Sequence, residues 1–221
     1  MRYGMIIDLS KCSGCMSCDV ACKRENFTPP GVHWSKVHIY ETGRYPQSKL
    51  RALPTHCMHC EEPACEKACP TGATVRRPDG VVFIDNDRCV GCGYCAMACP
   101  YEARVLNRDA PRPYHAPHDF TPFEKIGYFQ RLGAVEHGKG VIEKCTFCLH
   151  RLEQGGQPAC VETCPASARV FGDLDDPESE VAKLAMQASA RLRDHATKPK
   201  VLYLHLAEHL GRQTDKLPKD R

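Results

Sequence analysis

Long apolar runs are missing from this 221-residue chain. No stretch approaches the ~18 consecutive apolar residues of a membrane helix, so no direct membrane span is expected. Cys12 arrives before an apolar region of useful length can form, and no twin-arginine leader precedes it, so no export signal is expected either. Aromatics are sparse, at 7% with the single Trp34, which argues against a large aromatic core. No C-x-x-C-H haem attachment occurs, because Met16, Glu61, Gly93 and Leu149 follow Cys15, Cys60, Cys92 and Cys148. Also missing are a nucleophile with its base, paired catalytic carboxylates, a phosphate-cradling glycine loop and a flavin-binding stretch. No catalytic residue is assigned, and the chain is expected to carry out no substrate chemistry itself.

What is present is cysteine. All sixteen fall into four groups of four, with none left over: Cys12, Cys15, Cys18, Cys22; Cys57, Cys60, Cys65, Cys69; Cys89, Cys92, Cys95, Cys99; and Cys145, Cys148, Cys160, Cys164. Groups one and three read C-x2-C-x2-C-x3-C, and three groups end in Cys-Pro, at Pro70, Pro100 and Pro165. That spacing lets a short loop and the start of a helix deliver thiolates to a cubane iron–sulfur cluster. Disulfides are disfavoured without a secretion signal, and cysteines three apart on one tight turn pair poorly with one another. Zinc is the serious rival, since CMHC and CTFC alone suit it. A third cysteine at the next step followed by x3-C does not, and it occurs twice. Four [4Fe–4S] clusters are therefore expected, and four clusters in a small chain imply a conduit for electrons. Metal binding would then supply much of the folding free energy.

The formal charge of +3 counts every cysteine as neutral. An oxidised cubane with four thiolates carries about −2, which brings the loaded chain to about −5 and removes the case for a nucleic-acid partner. Several basic residues flank the cysteines: Lys11, His56, Arg88 and Lys144 precede the four groups, and Lys23 and Arg24 follow the first. They are read either as charges that raise a cluster's potential or as solvated side chains. His33, His38, His59, His115, His118, His137 and His150 are read with His56 as surface or supporting histidines, and Trp34 and Tyr101 as packing.

The segment GMIIDLSKCSGCMSCDVACK (4–23) matches GVVFIDNDRCVGCGYCAMACP (80–100) almost position for position. In each, a short strand (Met5–Ile7, Val81–Ile84) leads through an aspartate and a turn into the cysteines, resembling half of a two-cluster bacterial ferredoxin. In such ferredoxins the fourth cysteine crosses to the neighbouring cluster, so each group needs a partner. Groups two and three are adjacent, which leaves one with four. The expected fold is α+β: two fused ferredoxin-like modules, 1–22 plus 145–175 and 57–100, joined by connecting or docking segments 23–56 and 101–144. One strand is expected at Val37–Tyr40. Beyond 176 come a helix capped by Asp176, with Val181, Leu184, Ala185, Ala188 and Leu192 on its apolar face, then a strand at Pro199–Leu206 and a tail to 221.

MRYGMIIDLSKCSGC, CMHCEEPACEKACPTGA, DRCVGCGYCAMACPY and EKCTFCLHRLEQGGQPACVETCPASARVFGDLDDPES, in this order, resemble the four-cluster subunit of the dimethyl sulfoxide reductase family of respiratory molybdoenzymes. The resemblance covers about residues 3–180 and is strongest to the arsenate, polysulfide, thiosulfate and tetrathionate reductase branches. It implies the cages Cys12, Cys15, Cys18 with Cys164; Cys22 with Cys145, Cys148, Cys160; Cys57, Cys60, Cys65 with Cys99; and Cys69 with Cys89, Cys92, Cys95. It also implies a molybdopterin-containing catalytic subunit beside the first cage, and a membrane quinol-oxidising anchor or cytochrome beside the last. Some relatives carry tryptophan where this chain has Cys92 and hold three irons there; cysteine favours a complete cubane. An iron–sulfur subunit of a formate dehydrogenase or hydrogenase, a free polyferredoxin and a zinc-binding interaction module are the rival readings. Clusters are inserted in the cytoplasm, so the chain is expected to fold there. It would work in the periplasm if a signal-bearing partner exports it, and otherwise in the cytoplasm.

Overall fold

The computed structural model describes residues 1–28, 31–108, 140–188, 192 and 196–210. They form an α+β arrangement of short helices and small sheets. Strand β1 (Tyr3–Asp8) is the centre of a three-stranded sheet, antiparallel to β8 (Arg169–Asp173) and parallel to β9 (Val201–Leu204), with Met5 opposite both Phe171 and Val201. Being covered on both faces, its core reads as an unbroken apolar run. Met5 and Ile7 enter the main core, and Ile6 faces the other way, onto Val181 and Leu204.

Between the first two cysteine groups lies an antiparallel hairpin of β2 (Ser35–Thr42) and β3 (Lys49–His56), in register from Ser35 opposite His56 to Thr42 opposite Lys49. The single strand expected at Val37–Tyr40 is thus the centre of an eight-residue strand with an unforeseen mate. Groups two and three are joined by β4 (Thr74–Arg76) pairing with β5 (Val82–Ile84). The 101–144 connection closes on itself at its feet: β6 (Val105–Asn107) pairs with β7 (Val141–Glu143), and the Gly140 amide donates to the Asn107 carbonyl at 2.7 Å. Residues 109–139 lie outside the described residues, with His115, His118 and His137.

Helix α1 (Ser17–Asn26) carries two cysteines of group one; α2 (Ala64–Lys67), α3 (Tyr94–Met97), α4 (Leu149–Leu152) and α5 (Ala159–Glu162) are single turns within the other groups. The C-terminal helix α6 is Glu180–Ala185, and Ser179, not Asp176, caps it: the Ser179 hydroxyl accepts from the Ala182 amide at 3.2 Å. The Asp176 carboxylate accepts from the Glu178 amide at 2.9 Å, closing the turn before the helix. Ser179→Ala is expected to cost about 1 kcal/mol locally and speed exchange of the α6 amides roughly fivefold, read by hydrogen–deuterium exchange. The same change at Asp176 should act less on the helix. The strand expected at Pro199–Leu206 is β9, which completes the main sheet, and after it α7 (Leu206–Leu210) packs Leu206 and Leu210 into the core.

Lys200, just before β9, is buried, and its ammonium donates to the Gly80 carbonyl. Burial lowers its pKa from 10.5 to about 8 against the pull of Glu61. The folded state therefore gives up this proton more readily than the unfolded one. Below about pH 8 both states are protonated and the penalty is full; stability rises as pH climbs through the window from about 8 to 10.5. The thermal midpoint of the loaded protein should rise across that window, and Lys200→Met should flatten the rise.

Candidate metal centres

The four cysteine loops share a backbone device. The residue just before the second cysteine of each group has a positive φ: Gly14 (72°), His59 (42°), Gly91 (66°) and Phe147 (57°). Glycine adopts this conformation freely, whereas His59 and Phe147 carry a strain of roughly 1–2 kcal/mol each. Their side chains explain why it is tolerated. The two rings stack with centroids 3.7 Å apart and planes 19° from parallel, both fully buried, and tie the loop of group two to that of group four. The Val82 amide donates to His59 Nδ1 at 3.1 Å, and burial holds the imidazole neutral, so its hydrogen sits on Nε2. Backbone amides reach sulfur within such a loop, Phe147 N to Cys145 Sγ at 3.4 Å, and after a fourth cysteine, Ala168 N to Cys164 Sγ at 3.3 Å.

The chain brings its sulfurs together in four sets. Cys12, Cys15, Cys18 and Cys164 line one cavity, and Cys69, Cys89, Cys92 and Cys95 line a second. Cys22 feels the charges of Cys145, Cys148 and Cys160, and Cys60 those of Cys57, Cys65 and Cys99. The set of Cys22 and the set of Cys57 meet where Cys145 feels Cys57. Among the described residues no three His, Cys, Asp or Glu side chains close around a point as a single ion requires. A zinc needs its sulfurs within about 2.3 Å of one centre. Sets of four thiols drawn from two loops fit a four-iron cube, in which each iron takes one thiolate.

Burial pushes several of these thiols up: Cys60 to about 12, Cys65 and Cys148 to about 11, and Cys22 and Cys145 well above the ordinary value. Cys69 goes the other way, to about 7; burial opposes the shift, but the Thr74 amide and the Thr71 hydroxyl stabilise the thiolate and win. A ligating cysteine must be a thiolate, so the buried sets need positive charge nearby. Of the flanking basic residues singled out above, Lys144 supplies it from a fully buried position, with its ammonium donating to the Val82 and Cys145 carbonyls. His56 is buried but held neutral, its pKa lowered by burial to about 3. Lys11 pairs with Asp8 at 3.7 Å, Arg88 donates to the Thr71 carbonyl and Arg24 is exposed, so these fit the solvated reading. Lys23 donates to the Val32 carbonyl at 2.9 Å. His38 meets Thr55, His33 meets Asp19 and His150 meets Glu25, all supporting contacts. Trp34 and Tyr101 lie in the core, bonded to Glu143 and Thr197.

Sequence reasoning passed over Arg104 and Arg169, both buried. Arg104 Nη2 donates to Cys65 Sγ at 2.9 Å, and Arg169 Nη1 approaches Cys160 Sγ at 3.8 Å. The signal was available: CPYEARV (99–105) and CPASARV (164–170) each place arginine five residues after a fourth cysteine. Asn26, whose amide meets Cys22 Sγ at 3.5 Å and Cys148 Sγ at 3.8 Å, had no such signal.

Two sequence profiles, each described as a 4Fe-4S dicluster domain, match the chain over residues 48–112 with 131–174 and over 11–73. The arsenate respiratory reductase iron-sulfur subunit of a Shewanella species is 42% identical, the match covering 92% of this chain and 96% of that one. A selenate reductase subunit of Mesobacillus selenatarsenatis is 43% identical over 92% and 72%, and a tetrathionate reductase subunit of Salmonella typhimurium 40% identical over 93% and 73%. The chain belongs to this family of reductase iron–sulfur subunits. Members of the family are electron-transfer subunits, and the sixteen cysteines here fit four [4Fe–4S] clusters. Among the described residues no helix is long and apolar enough to cross a membrane.

Proposed function

We propose that this chain passes single electrons between a quinol- or cytochrome-linked partner and a molybdopterin catalytic subunit that acts on an inorganic oxyanion or sulfur compound, such as arsenate or polysulfide. The ligand sets are Cys12, Cys15, Cys18, Cys164; Cys22, Cys145, Cys148, Cys160; Cys57, Cys60, Cys65, Cys99; and Cys69, Cys89, Cys92, Cys95. They fall into the modules 1–22 with 145–175 and 57–100, the first and last sets being the ports to the two partners. Each cluster would supply one-electron storage at its site.

The observation that carries this reading is the grading of sulfur exposure along the series. Cys15 and Cys92, in the first and last sets, are exposed, whereas Cys22, Cys145, Cys148, Cys57, Cys60 and Cys65 in the middle sets are buried. Exposed apolar residues adjoin both ends in sequence: Met16 and Val20 beside Cys15, and Val90, Tyr94 and Met97 beside Cys92. Buried intermediates are shielded from stray oxidants, and the exposed ends are left for docked partners. Strand pairing supports the module boundaries, since β1 before group one pairs with β8 after group four, and β5 before group three pairs with β4 after group two. For location we favour the periplasm, reached folded in the company of a signal-bearing catalytic subunit.

The test is anaerobic purification of the full chain. We expect a brown protein with about sixteen irons and a paramagnetic signal on dithionite reduction. A colourless protein holding four zinc ions would sink the reading. Cell fractionation with the catalytic subunit present and absent tests the location; a pool that stays cytoplasmic in both cases removes that part.

A further inference from the structure

Arg104 and Arg169 do more than neutralise one thiolate each. Arg104 is only 7% exposed, and its fork is divided: Nη1 donates to Thr74 Oγ1 at 3.0 Å while Nη2 donates to Cys65 Sγ. Burial works against its charge and the neighbouring thiolates support it, and Thr74, its other partner, lines the cavity formed by Cys69, Cys89, Cys92 and Cys95. Cys65 and Cys57 belong to the third ligand set, Cys95 to the fourth. Arg169 is 4% exposed and stands five residues after Cys164, as Arg104 stands five after Cys99. It lines the cavity formed by Cys12, Cys15, Cys18 and Cys164, the first set, while its Nη1 lies 3.8 Å from Cys160 Sγ of the second, and both neighbouring thiolates favour its charge. Its Nη1 also meets Met5 Sδ at 3.5 Å, and its Nη2 is a buried donor with no acceptor among the described residues. A buried guanidinium hydrogen with no acceptor is costly, and a thiolate or inorganic sulfide in the adjoining cage would satisfy it.

We propose that Arg104 and Arg169 are matched potential-setting bridges, each placing one guanidinium between two neighbouring clusters so that both potentials in a module rise together. The inference rests on the four-cluster reading above. Guanidinium suits the position because it keeps its charge and spreads donors over a planar fork, whereas an ammonium is a single point. Positive charge and hydrogen bonds at cluster sulfurs favour the reduced state. Reducing one cluster of a pair adds a negative charge that its neighbour would feel, and a shared cation offsets that repulsion for both.

The experiment is a redox titration of the anaerobically purified full chain, followed by electron paramagnetic resonance. In Arg104→Met two midpoint potentials should fall, each by roughly tenfold in the reduced-to-oxidised ratio at fixed potential, or about 59 mV for one electron. In Arg169→Met the other two should fall, and no signal should move in both variants. Arg104→Lys and Arg169→Lys should keep their iron and each move one of its two potentials more than the other. If a methionine variant loses iron, the lysine variants decide, and wild-type potentials in them overturn the proposal. Potentials that shift in all four clusters, in one alone or in none also overturn it. A wild-type chain without iron would instead defeat the underlying four-cluster reading, so the two failures are distinguishable.

Discussion

Produced without iron, the full chain is expected to lose nearly all of its fixed tertiary structure, because its ligands are also its core. Cys18, Cys22, Cys57, Cys60, Cys145 and Cys160 are members of the main buried cluster, and Cys65 and Cys95 share the smaller one with Val82 and Ile142. Remove the metal and these side chains surround space that no other side chain fills. Among the described residues four helices are four residues long, far below the ~12 residues at which an isolated helix is even marginal in water. The strained backbone at His59 and Phe147 would then have nothing to hold it. A single structural zinc contributes about 10–16 kcal/mol to folding, as much as the whole stability of a typical domain at about 5–15 kcal/mol. Four clusters dominate on any such scale. Far-UV circular dichroism should show little regular structure in the iron-free chain, and adding iron and sulfide anaerobically should restore it. An iron-free chain that unfolds cooperatively, with native dichroism, would contradict this account.

How much of this was legible depended on whether a residue's role was local. The cysteine groups were plain because cluster ligation fixes short spacings, and β1 and β5 were plain because each is an apolar run before a repeated motif. Strand β3 was hidden by Lys49, Arg51 and Pro54, which read as a loop. A two-stranded ribbon has only edge strands, so Pro54, opposite Val37, can be accommodated there. Asp176 and Ser179 both suit a cap, and only the folded chain shows the aspartate spent on a turn. The stack of His59 on Phe147 joins residues 88 apart by number, although aligning CMHC and CTFC with CSGC and CVGC marks both as occupants of a glycine position. Arg104 and Arg169 look like ordinary surface charges until the sheets carry them back between the cages.

That glycine position yields the sharpest contrast. At Gly91 an added Cβ would lie 1.8 Å from the carbonyl oxygen of Gly140, and φ is +66°. The obstructing atom is backbone at the foot of the β6–β7 ribbon, where the Gly140 amide is bonded to Asn107, so it cannot swing aside as a side chain would. Gly93, two residues on, has φ +80° but nothing within 4 Å of its would-be Cβ. Gly93→Ala should therefore cost only the backbone strain, about 1–2 kcal/mol, and keep its full iron. Gly91→Ala has to push apart the loop bearing Cys89 and Cys92 and the ribbon leading to group four. Its iron content should fall by about one quarter, with one cluster signal gone and the other three retained. The signal that disappears should be one of the two that Arg104→Met shifts, because Cys89, Cys92 and Cys95 line the cavity whose wall includes Thr74, the hydrogen-bond partner of Arg104. Full iron in Gly91→Ala, or loss of a signal governed by Arg169, would show that the loop of group three does not build the cage assigned to it.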